Sequence, residues 1–521
     1  YYMYELRGHS GTWYFPFRYT FDNYTSPTYI TNAQGEIVIV TPGDKPGDVV
    51  PGESVRRTRV NSVSSFLNLG WDDYLFLELT ARNDWSSTLP PESNSYFYPS
   101  VSASFIATEA FNIRESVKWL SFLKVRAGYA HSAVDTDPYM LDFNYTSGEF
   151  GGQQTAGYPG IIPPYQLKPQ RVNTWEAGLN IGVFDSRIDL DFTWYNKYSY
   201  SQIMDRLPVP VSSGATEGIT INEGAITNRG IEIVLNTIPV QTKNFAIRSS
   251  LNFSRNRNVV ESLGNYADIF PLADIWGANG PAMALRAGDD YGTIYGYDYV
   301  YHENGKPIVN DEGTKYLITD TRVPVGNASP DFLAGWQTEF LWKGFRLAAL
   351  IDTKWGGDIY CGSYVISLQT GQSPETLKER EGGGLPYTDP AGNTSNIGVI
   401  LDGVYADGTP NNKVVHYYYK YLPNAGGWGK LLSTPGILDN TWVKMREISL
   451  SYTFQNRIID KLKVFQNLTL SVVGRDLFYI YSSLPDNINP EGIMGSGNAQ
   501  GFEWASLPGT MSLTVGVTAG F

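Results

Sequence analysis

At 521 residues the chain is long enough for several soluble domains or for one large architecture such as a barrel. Charged residues make up only 17% of it, against a usual value of about 25%, and aromatic residues make up 14%, a combination that suits an apolar exterior. The net charge of -13 leaves no broad basic surface for phosphate backbones, so the composition argues against a nucleic-acid partner.

Apolar residues alternate with polar or small ones along much of the chain. This predicts two-faced β-strands, because successive side chains of a strand point to opposite faces. The last segment shows the pattern best, with Met511, Leu513 and Val515 on one face and Ser512 and Thr514 on the other. The alternation predicts about fifteen strands, at residues 1–7, 12–21, 56–70, 73–84, 97–108, 122–131, 172–184, 187–197, 228–238, 244–256, 332–342, 344–353, 441–454, 466–479 and 510–521.

The connections between these strands distinguish two architectures that share the alternation, a soluble sandwich or propeller and an outer-membrane barrel. Short links at 9–10, 71–72, 185–186, 241–242 and 343–344 alternate with long ones at 22–55, 132–171, 198–227, 257–331, 354–440 and 480–509, and the links 85–96 and 109–121 are intermediate. Outer-membrane barrels have short periplasmic turns and long extracellular loops. The alternation of short and long links therefore favours the barrel. A periplasmic C-terminus would place every long connection outside the cell.

Aromatic residues gather where the predicted strands end, among them Trp71, Trp85, Trp194, Trp342 and Trp355. Such rings favour the membrane interface and are typical of barrel girdles, although capping of a soluble core is an alternative. No run of about 18 apolar residues could form a transmembrane helix, a condition that a barrel also meets. The odd strand number and the start without an initiator Met or a signal peptide predict that further strands precede the chain.

Residue patterns for catalysis and metal binding are absent from the sequence. The 4 histidines are scattered, and no His-Glu-x-x-His or Cys-x-x-Cys spacing occurs. The single cysteine, Cys361, cannot form an internal disulfide. The neighbouring acids Asp72-Asp73 and Asp289-Asp290 would point apart on an extended chain and are interpreted as turn residues. We therefore predict no enzyme activity, no metal and no cofactor.

Aromatic residues in the longest predicted connection are candidates for binding a ligand or a partner protein. They are Tyr417, Tyr418, Tyr419, Tyr421 and Trp428. Rigid aromatic side chains make contacts at low entropic cost, so they suit sugars, peptides or a protein surface. The alternative is that they pack within a folded loop or in a girdle. The last residue, Phe521, closes an alternating strand and resembles the terminal signal read by the outer-membrane insertion machinery.

A series of motifs occurs in one order from about residue 55 to the end of the chain. The motifs are 74–90 (YLFLELTARNDWSSTLP), 98–105 (YPSVSASF), 173–179 (NTWEAGL), 228–232 (NRGIE), 295–297 (YGY), 325–332 (VGNASPDF), 443–452 (VKMREISLSY) and 473–478 (VGRDLF). Together they resemble the barrel region of SusC/RagA-like TonB-dependent outer-membrane transporters. Collinear motifs are more specific than any one of them alone.

This resemblance implies an all-β fold, a transmembrane antiparallel barrel of about 22 strands with a plugged lumen. Residues 1–521 would be its C-terminal part with about 15 of the strands, and the N-terminal plug and the first strands would precede it. The implied function is TonB-dependent import of an oligosaccharide or oligopeptide across the bacterial outer membrane, as the barrel of a SusCD-like complex. The alternatives are a passive porin and a surface glycan-binding β protein.

The resemblance also implies the partners. They are a SusD-like surface lipoprotein resting on the long loops, TonB through the missing N-terminal region, and outer-membrane lipid. A dimer of SusCD-like pairs is the expected assembly. The identity of the substrate and the residues that contact it do not follow from the resemblance.

Overall fold

A computed structural model of the chain describes residues 10–13, 28–31, 37–40, 52–164, 166–265, 268–380, 383–421, 429–454, 466–495 and 497–520. The predicted strand at 1–7 and the terminal Phe521 lie outside the described residues, and the predicted strand at 12–21 is described only at residues 12 and 13. Near the start, Ser10–Trp13 pairs with Gly52–Val55, and Thr28–Thr31 pairs with Ile37–Val40.

A 14-stranded sheet dominates the described residues. Apart from Ile161–Ile162, which pairs in parallel with the start of one strand, it is an antiparallel meander in which each strand pairs with its neighbours in sequence. In chain order the meander strands are β1 Val60–Trp71, β2 Leu75–Ser86, β3 Ser95–Ile106, β4 Leu120–Val134, β5 Gln170–Val183, β6 Ile188–Leu207, β7 Gly218–Gln241, β8 Phe245–Ser262, β9 Phe332–Trp342, β10 Phe345–Trp355, β11 Trp442–Thr453, β12 Asn467–Ser482 and β13 Ser512–Gly520. Each strand predicted from residue 56 onward corresponds to one of these, which confirms that part of the prediction.

The connections of the meander fall into two series at opposite ends of the strands, and the four longest, 135–169, 263–331, 356–441 and 483–511, all belong to one series, as the sequence predicts. The alternation in length is not strict, because 107–119 and 454–466 are longer than 87–94 and 208–217. The short series is 72–74, 107–119, 184–187, 242–244, 343–344 and 454–466, and the series at the other end of the strands is 87–94, 135–169, 208–217, 263–331, 356–441 and 483–511. Asp72 and Asp73 have φ values of 45° and 57° in a tight turn, a left-handed conformation that aspartate tolerates better than most residues. All the long connections therefore leave from one end of the sheet.

The connection predicted at 198–227 is wrong in extent, because most of it is strand. β6 continues to Leu207 and β7 begins at Gly218, so this hairpin is longer than the others. Its far end is buried in a hydrophobic cluster formed by Met204, Leu207, Val260, Leu263 and Leu285. Irregularities in the β6–β7 register from Ser199 onward break the two-residue period. Packing against Val260, Leu263 and Leu285 stabilises the extension of β6 and β7. The alternation of apolar and polar residues does not reveal such packing.

One face of the meander carries large apolar side chains in continuous rows, since residues directly opposite each other on antiparallel strands share a face. From β3 to β8 one row is Phe105, Val125, Leu179, Phe192, Ile233 and Phe253. From β9 to β13 another is Phe340, Leu347, Leu450, Val472 and Val515. Exposure in the second row runs from 40% for Phe340 to 73% for Val515, so no second layer of the described residues covers it. Such a face suits contact with lipid and not the core of a sandwich.

The opposite face of the meander is polar. We call the meander the wall, and this polar face is its inner side. Arg126 on β4 donates hydrogen bonds to Asn180 on β5 and to Asp191 and Thr193 on β6, with Arg126 Nη2 2.7 Å from Asp191 Oδ1. Gly178 leaves space for this guanidinium, because a Cβ atom there would lie 2.5 Å from Arg126 Nε. A polar lumen beside an apolar exterior is the expected organisation of a membrane barrel.

The described parts of the connections 263–331, 356–441 and 483–511 fold together into a unit that we call the loop body. It contains a four-stranded sheet of Phe270–Asp274, Ala282–Leu285, Thr293–Gly296 and Val323–Asn327, and two three-stranded sheets. The first of these orders Ile437–Asp439, Asp358–Cys361 and Phe502–Glu503, and the second orders Leu385–Thr388, Thr394–Ile400 and Val414–His416. Its helices are α1 Gly362–Gln369 and the short Leu377–Arg380 and Tyr418–Tyr421, with 3-10 turns at Gly277–Asn279, Pro374–Thr376 and Thr434–Gly436.

The remaining described elements lie in other connections. Short helices at Ala107–Ala110 and Ile113–Ser116 join β3 to β4, a hairpin of Thr146–Phe150 and Gln153–Gly157 follows β4, and a 3-10 turn at Val211–Ser213 follows β6. Within the described ranges, no helix has the length and apolar character needed to cross a membrane.

Candidate functional site

The loop body has a hydrophobic core to which three separate connections contribute. The core residues are Ile275, Met283, Ile294, Tyr360, Val365 and Phe502. Asp358–Cys361 lies between Ile437–Asp439 and Phe502–Glu503, so main-chain hydrogen bonds also join the second and third connections. Because both backbone pairing and the core cross between connections, the loop body can hold side chains at fixed positions.

A cleft of about 560 Å³ opens at the surface of the loop body and is the candidate site. We call it the tryptophan cleft, and it is lined by Trp276, Asn279, Ile366, Gln369, Gly429, Leu431 and Trp504. The indole rings of Trp276 and Trp504 stand at 90° to each other with centroids 5.2 Å apart. Trp504 is 37% and Ile366 36% exposed, so solvent reaches both sides. The volume falls in the range of about 300–1,000 Å³ that is typical of ligand pockets.

Trp504 is positioned by the turn that follows Phe502–Glu503. Its ring lies against Gly362, the first residue of α1, where a Cβ atom would lie 2.4 Å from the ring carbon Cε3. A larger residue at position 362 would therefore displace the indole. Ala505 follows with a φ of 48°, which is uncommon for a residue with a side chain, and its N–H donates to Ser363 Oγ at 2.8 Å.

The carboxylate of Glu503 is buried beneath this turn and fixes it. Glu503 Oε1 accepts hydrogen bonds from Ser363 Oγ at 2.8 Å and Ser506 Oγ at 2.7 Å, and Oε2 accepts from Cys361 Sγ at 3.1 Å. Burial alone would raise the pKa of Glu503, but these hydrogen bonds outweigh burial and hold the pKa below its usual range. At neutral pH the turn is therefore built around a charged carboxylate.

Acidification is expected to loosen the Trp504 turn. Because the pKa of Glu503 is lower in the folded protein than in the unfolded chain, its contribution to stability is complete above the unfolded value of about 4.3 and is lost as the pH falls through the folded value. We expect the tryptophan fluorescence of the protein to change below about pH 4. Glu503→Gln has no carboxylate to protonate and should show a smaller change, and equal acid transitions in the two proteins would contradict this role.

Trp276 is held by its backbone conformation and by an aromatic neighbour. It has a φ of 66° at the residue that precedes Gly277–Asn279. The ring of Tyr360, which is fully buried, meets it edge to face at 5.7 Å between centroids. A bulky side chain on a left-handed backbone persists only where its surroundings hold it there, and such positions are enriched at functional sites.

The aromatic residues predicted from the sequence, Tyr417, Tyr418, Tyr419 and Tyr421, lie elsewhere in the loop body. Tyr421 is buried in a cluster with Cys361, and Tyr417 and Tyr419 pack against hydrophobic clusters. Tyr418 is 39% exposed and is the most accessible ring of the group, while Trp428 lies outside the described residues. Binding at these positions stays a prediction. Sequence reasoning did not single out Trp276 or Trp504.

A cluster of charged groups ties the last long connection to the wall. Glu491 in that connection lies 2.5 Å from Lys444 Nζ and 2.6 Å from Arg446 Nη2, both on β11. Arg446 also pairs with Asp476 on β12 at 2.8 Å and with Asp352 on β10 at 3.0 Å. The connection that carries the Trp504 turn is therefore anchored to three neighbouring wall strands.

The acidic pair Asp289-Asp290 has two separate structural roles. The Tyr295 hydroxyl donates to Asp289, and Arg257 Nε lies 3.2 Å from Asp290 Oδ1. Within the described ranges, no group of three or more His, Cys, Asp or Glu side chains is placed to hold a metal ion.

Comparison with known proteins gives one family and several relatives. A family model described as "TonB dependent receptor-like, beta-barrel" matches residues 2–376. The chain is 23% identical over 506 residues to the TonB-dependent receptor P3 of Formosa agariphila, covering 90% of this chain and 46% of that relative. It is 24% identical over 426 residues to the TonB-dependent receptor SusC of Bacteroides thetaiotaomicron, covering 77% of this chain and 38% of that relative. The chain spans less than half the length of these relatives.

Solved structures show the same fold. The RagAB peptide importer in its closed-closed state superposes with a TM-score of 0.68 at 18% identity, over 92% of this chain and 50% of that chain. The open-open state of the same importer gives a TM-score of 0.67 at 18% identity, over 92% and 49% of the two chains.

Proposed function

The chain belongs to the TonB dependent receptor-like β-barrel family of outer-membrane transporters, and from this premise we propose that it is part of an active importer of oligosaccharides or oligopeptides. The ligand would bind to the loop body and the inner face of the wall and move inward when TonB acts on the N-terminal region of the complete protein. The outer membrane has no nucleotide supply, so the energy has to arrive from the inner membrane.

The observation that supports import most strongly is the separation of three surfaces. An exposed apolar face suits lipid, a polar face with the Arg126 network suits an aqueous passage, and the loop body holds an open cleft at the end where the long connections leave. A folded unit at that end gives a ligand a fixed place to bind before it passes through the wall.

Dependence on TonB is the test that separates this proposal from a passive porin. We expect uptake of a labelled oligosaccharide or peptide pool by cells that make the complete protein, and loss of that uptake when TonB is deleted or the proton gradient is dissipated. Binding of the same pool to the cell surface should survive both treatments. Uptake that continues at the same rate without TonB would identify a porin and contradict active import.

A SusD-like surface lipoprotein is the partner that we propose for the loop body, in a complex that forms a dimer of such pairs. Within the predicted aromatic group, Tyr418 has an exposed ring and is the described residue that we propose for contact with this partner or with the ligand. Purification in mild detergent should yield a co-migrating lipoprotein in equal amount, and a barrel that purifies alone would contradict the pairing.

A further inference from the structure

The tryptophan cleft differs from other clefts of the molecule in its charge. Its described lining residues are two tryptophans, two aliphatic residues, a glycine and the carboxamides Asn279 and Gln369, and none of them is ionisable. By contrast, a cleft of about 320 Å³ beside β8 is lined by Arg255, Arg257 and three aspartates. In a chain with a net charge of -13, an uncharged cleft selects for an uncharged ligand group, because a buried charge without a partner is costly.

The two kinds of lining residue match the two kinds of surface on a sugar ring. The face of an indole carries partial negative charge, which attracts the polarised C–H groups on the flat side of a pyranose. A carboxamide both donates and accepts hydrogen bonds, as a sugar hydroxyl does, so Gln369 can pair with a hydroxyl in either sense. The perpendicular arrangement of Trp276 and Trp504 gives a sugar ring one face to stack on and a second wall at its edge.

Two features that favour peptide binding are missing from the described part of this cleft. One mode of peptide recognition adds the extended peptide as a strand to an open sheet edge, where main-chain hydrogen bonds give affinity. The strand Asp358–Cys361, which carries the ring of Tyr360 behind Trp276, is paired on both sides by Ile437–Asp439 and Phe502–Glu503. The described lining also offers no charged group for a terminus or for a lysine, arginine or acidic side chain of a peptide.

The two indoles are held in place before any ligand arrives. Trp504 lies on Gly362 in a turn fixed by the buried Glu503, and Trp276 sits on a left-handed backbone against Tyr360. Side chains that are already ordered lose little entropy on binding, so more of the contact energy remains as affinity. A rigid aromatic corner is therefore suited to a binding role and not only to packing.

We infer that the tryptophan cleft is a subsite for one neutral glycosyl unit of the cargo, stacked on Trp504 or Trp276 and hydrogen-bonded to Gln369. The inference rests on the import function proposed above and selects oligosaccharide over peptide as the cargo class.

Calorimetric titration of the complete purified transporter, with any partner that co-purifies, tests the subsite. The probes are neutral malto-, xylo-, manno- and galacto-oligosaccharides, an acidic uronate oligosaccharide and a tryptic peptide pool. At least one neutral oligosaccharide should bind. Trp504→Ala should weaken that binding about tenfold, and Trp504→Phe should retain most of it. Trp342→Ala is the matched control, because Trp342 is an exposed tryptophan of the wall outside the loop body, and it should bind as the parent protein does.

The outcomes separate the subsite from the import function. Neutral oligosaccharide binding that is unchanged in both Trp504→Ala and Trp276→Ala would overturn the subsite, as would binding of the peptide pool alone. TonB-dependent uptake is measured in the same variants. TonB-dependent uptake of peptides with the cleft variants unaffected would leave import standing and overturn the glycan inference. Oligosaccharide binding that Trp504→Ala weakens, with uptake independent of TonB, would support the subsite and contradict active import.

Discussion

Arginine in place of Leu251 is expected to remove most of the folded protein from the outer membrane. Leu251 lies on the apolar face of β8, directly opposite Leu235 on β7 and Trp336 on β9, and is 38% exposed. A guanidinium there would face hydrocarbon, at a cost of about 2–4 kcal/mol near the bilayer midplane. That cost is a large fraction of a typical folding free energy of about 5–15 kcal/mol. The measurements are the folded fraction in isolated outer membranes, from heat-modifiable electrophoretic mobility, and the urea midpoint in lipid vesicles.

The neighbouring Asn252→Arg is the matched control for this experiment. Asn252 is exposed on the polar face of the same strand, opposite Val234 and Gly335, so the same guanidinium would enter the aqueous interior. We expect its folded fraction and urea midpoint to stay close to those of the parent protein. A loss of the same size at both positions would contradict the assignment of one face to lipid and the other to the lumen.

Arg446→Met is expected to release the last long connection from the wall. Arg446 is the group on which Glu491, Asp352 and Asp476 converge, and its side chain is 26% exposed. Without it Glu491 and Asp476 retain Lys444 as a counter-charge, and Asp352 loses its ion pair. Exposed pairs contribute about 0–1 kcal/mol and buried pairs cost about 3–5 kcal/mol when one partner is removed, so for this half-buried cluster we expect roughly 2 kcal/mol. Hydrogen exchange should accelerate in residues 483–511 and stay unchanged in β1–β5.

The matched variant Arg475→Met removes an arginine from the adjacent strand β12. Arg475 pairs with Glu447 at 2.9 Å, but its side chain is 59% exposed, and such pairs contribute little. Exchange in 483–511 should therefore remain as in the parent protein. Equal protection of that segment in Arg446→Met and in the parent would show that the cluster does not hold the connection.

The meander could be predicted from the sequence because each strand has one apolar and one polar face, and neither face depends on distant parts of the chain. The predicted strand at 441–454 differs from β11, Trp442–Thr453, by a single residue at each end. The alternation of connection lengths followed from the same pattern. The far end of the β6–β7 hairpin was missed because Met204 and Leu207 are buried by residues from another connection, which a local period cannot show.

The candidate site was less accessible to prediction. The aromatic run at 417–421 was conspicuous in the sequence, yet most of its rings pack inside the loop body. Trp276 and Trp504 are distant in sequence and meet only because three connections fold together. One feature of the sequence distinguishes Trp276 and Trp504 from the tryptophans of the wall strands. Both tryptophans fall inside long connections, whereas Trp194, Trp342 and Trp355 lie in wall strands where a girdle explains them.

The shared core of the loop body imposes an order on assembly. Each wall strand pairs with the strands before and after it in the chain. Contacts between segments that are close in sequence form early in folding. Gly501 N and Met283 Sδ, by contrast, are 3.2 Å apart although 218 positions separate them, with strands β9 to β12 in between. Those strands must be inserted before the last connection can close on the first. Until the last connection closes on the first, Tyr360 and Phe502 lack the other core residues of the loop body as packing partners. An assembly intermediate that stalls at this stage would therefore expose apolar surface to proteases at the cell exterior.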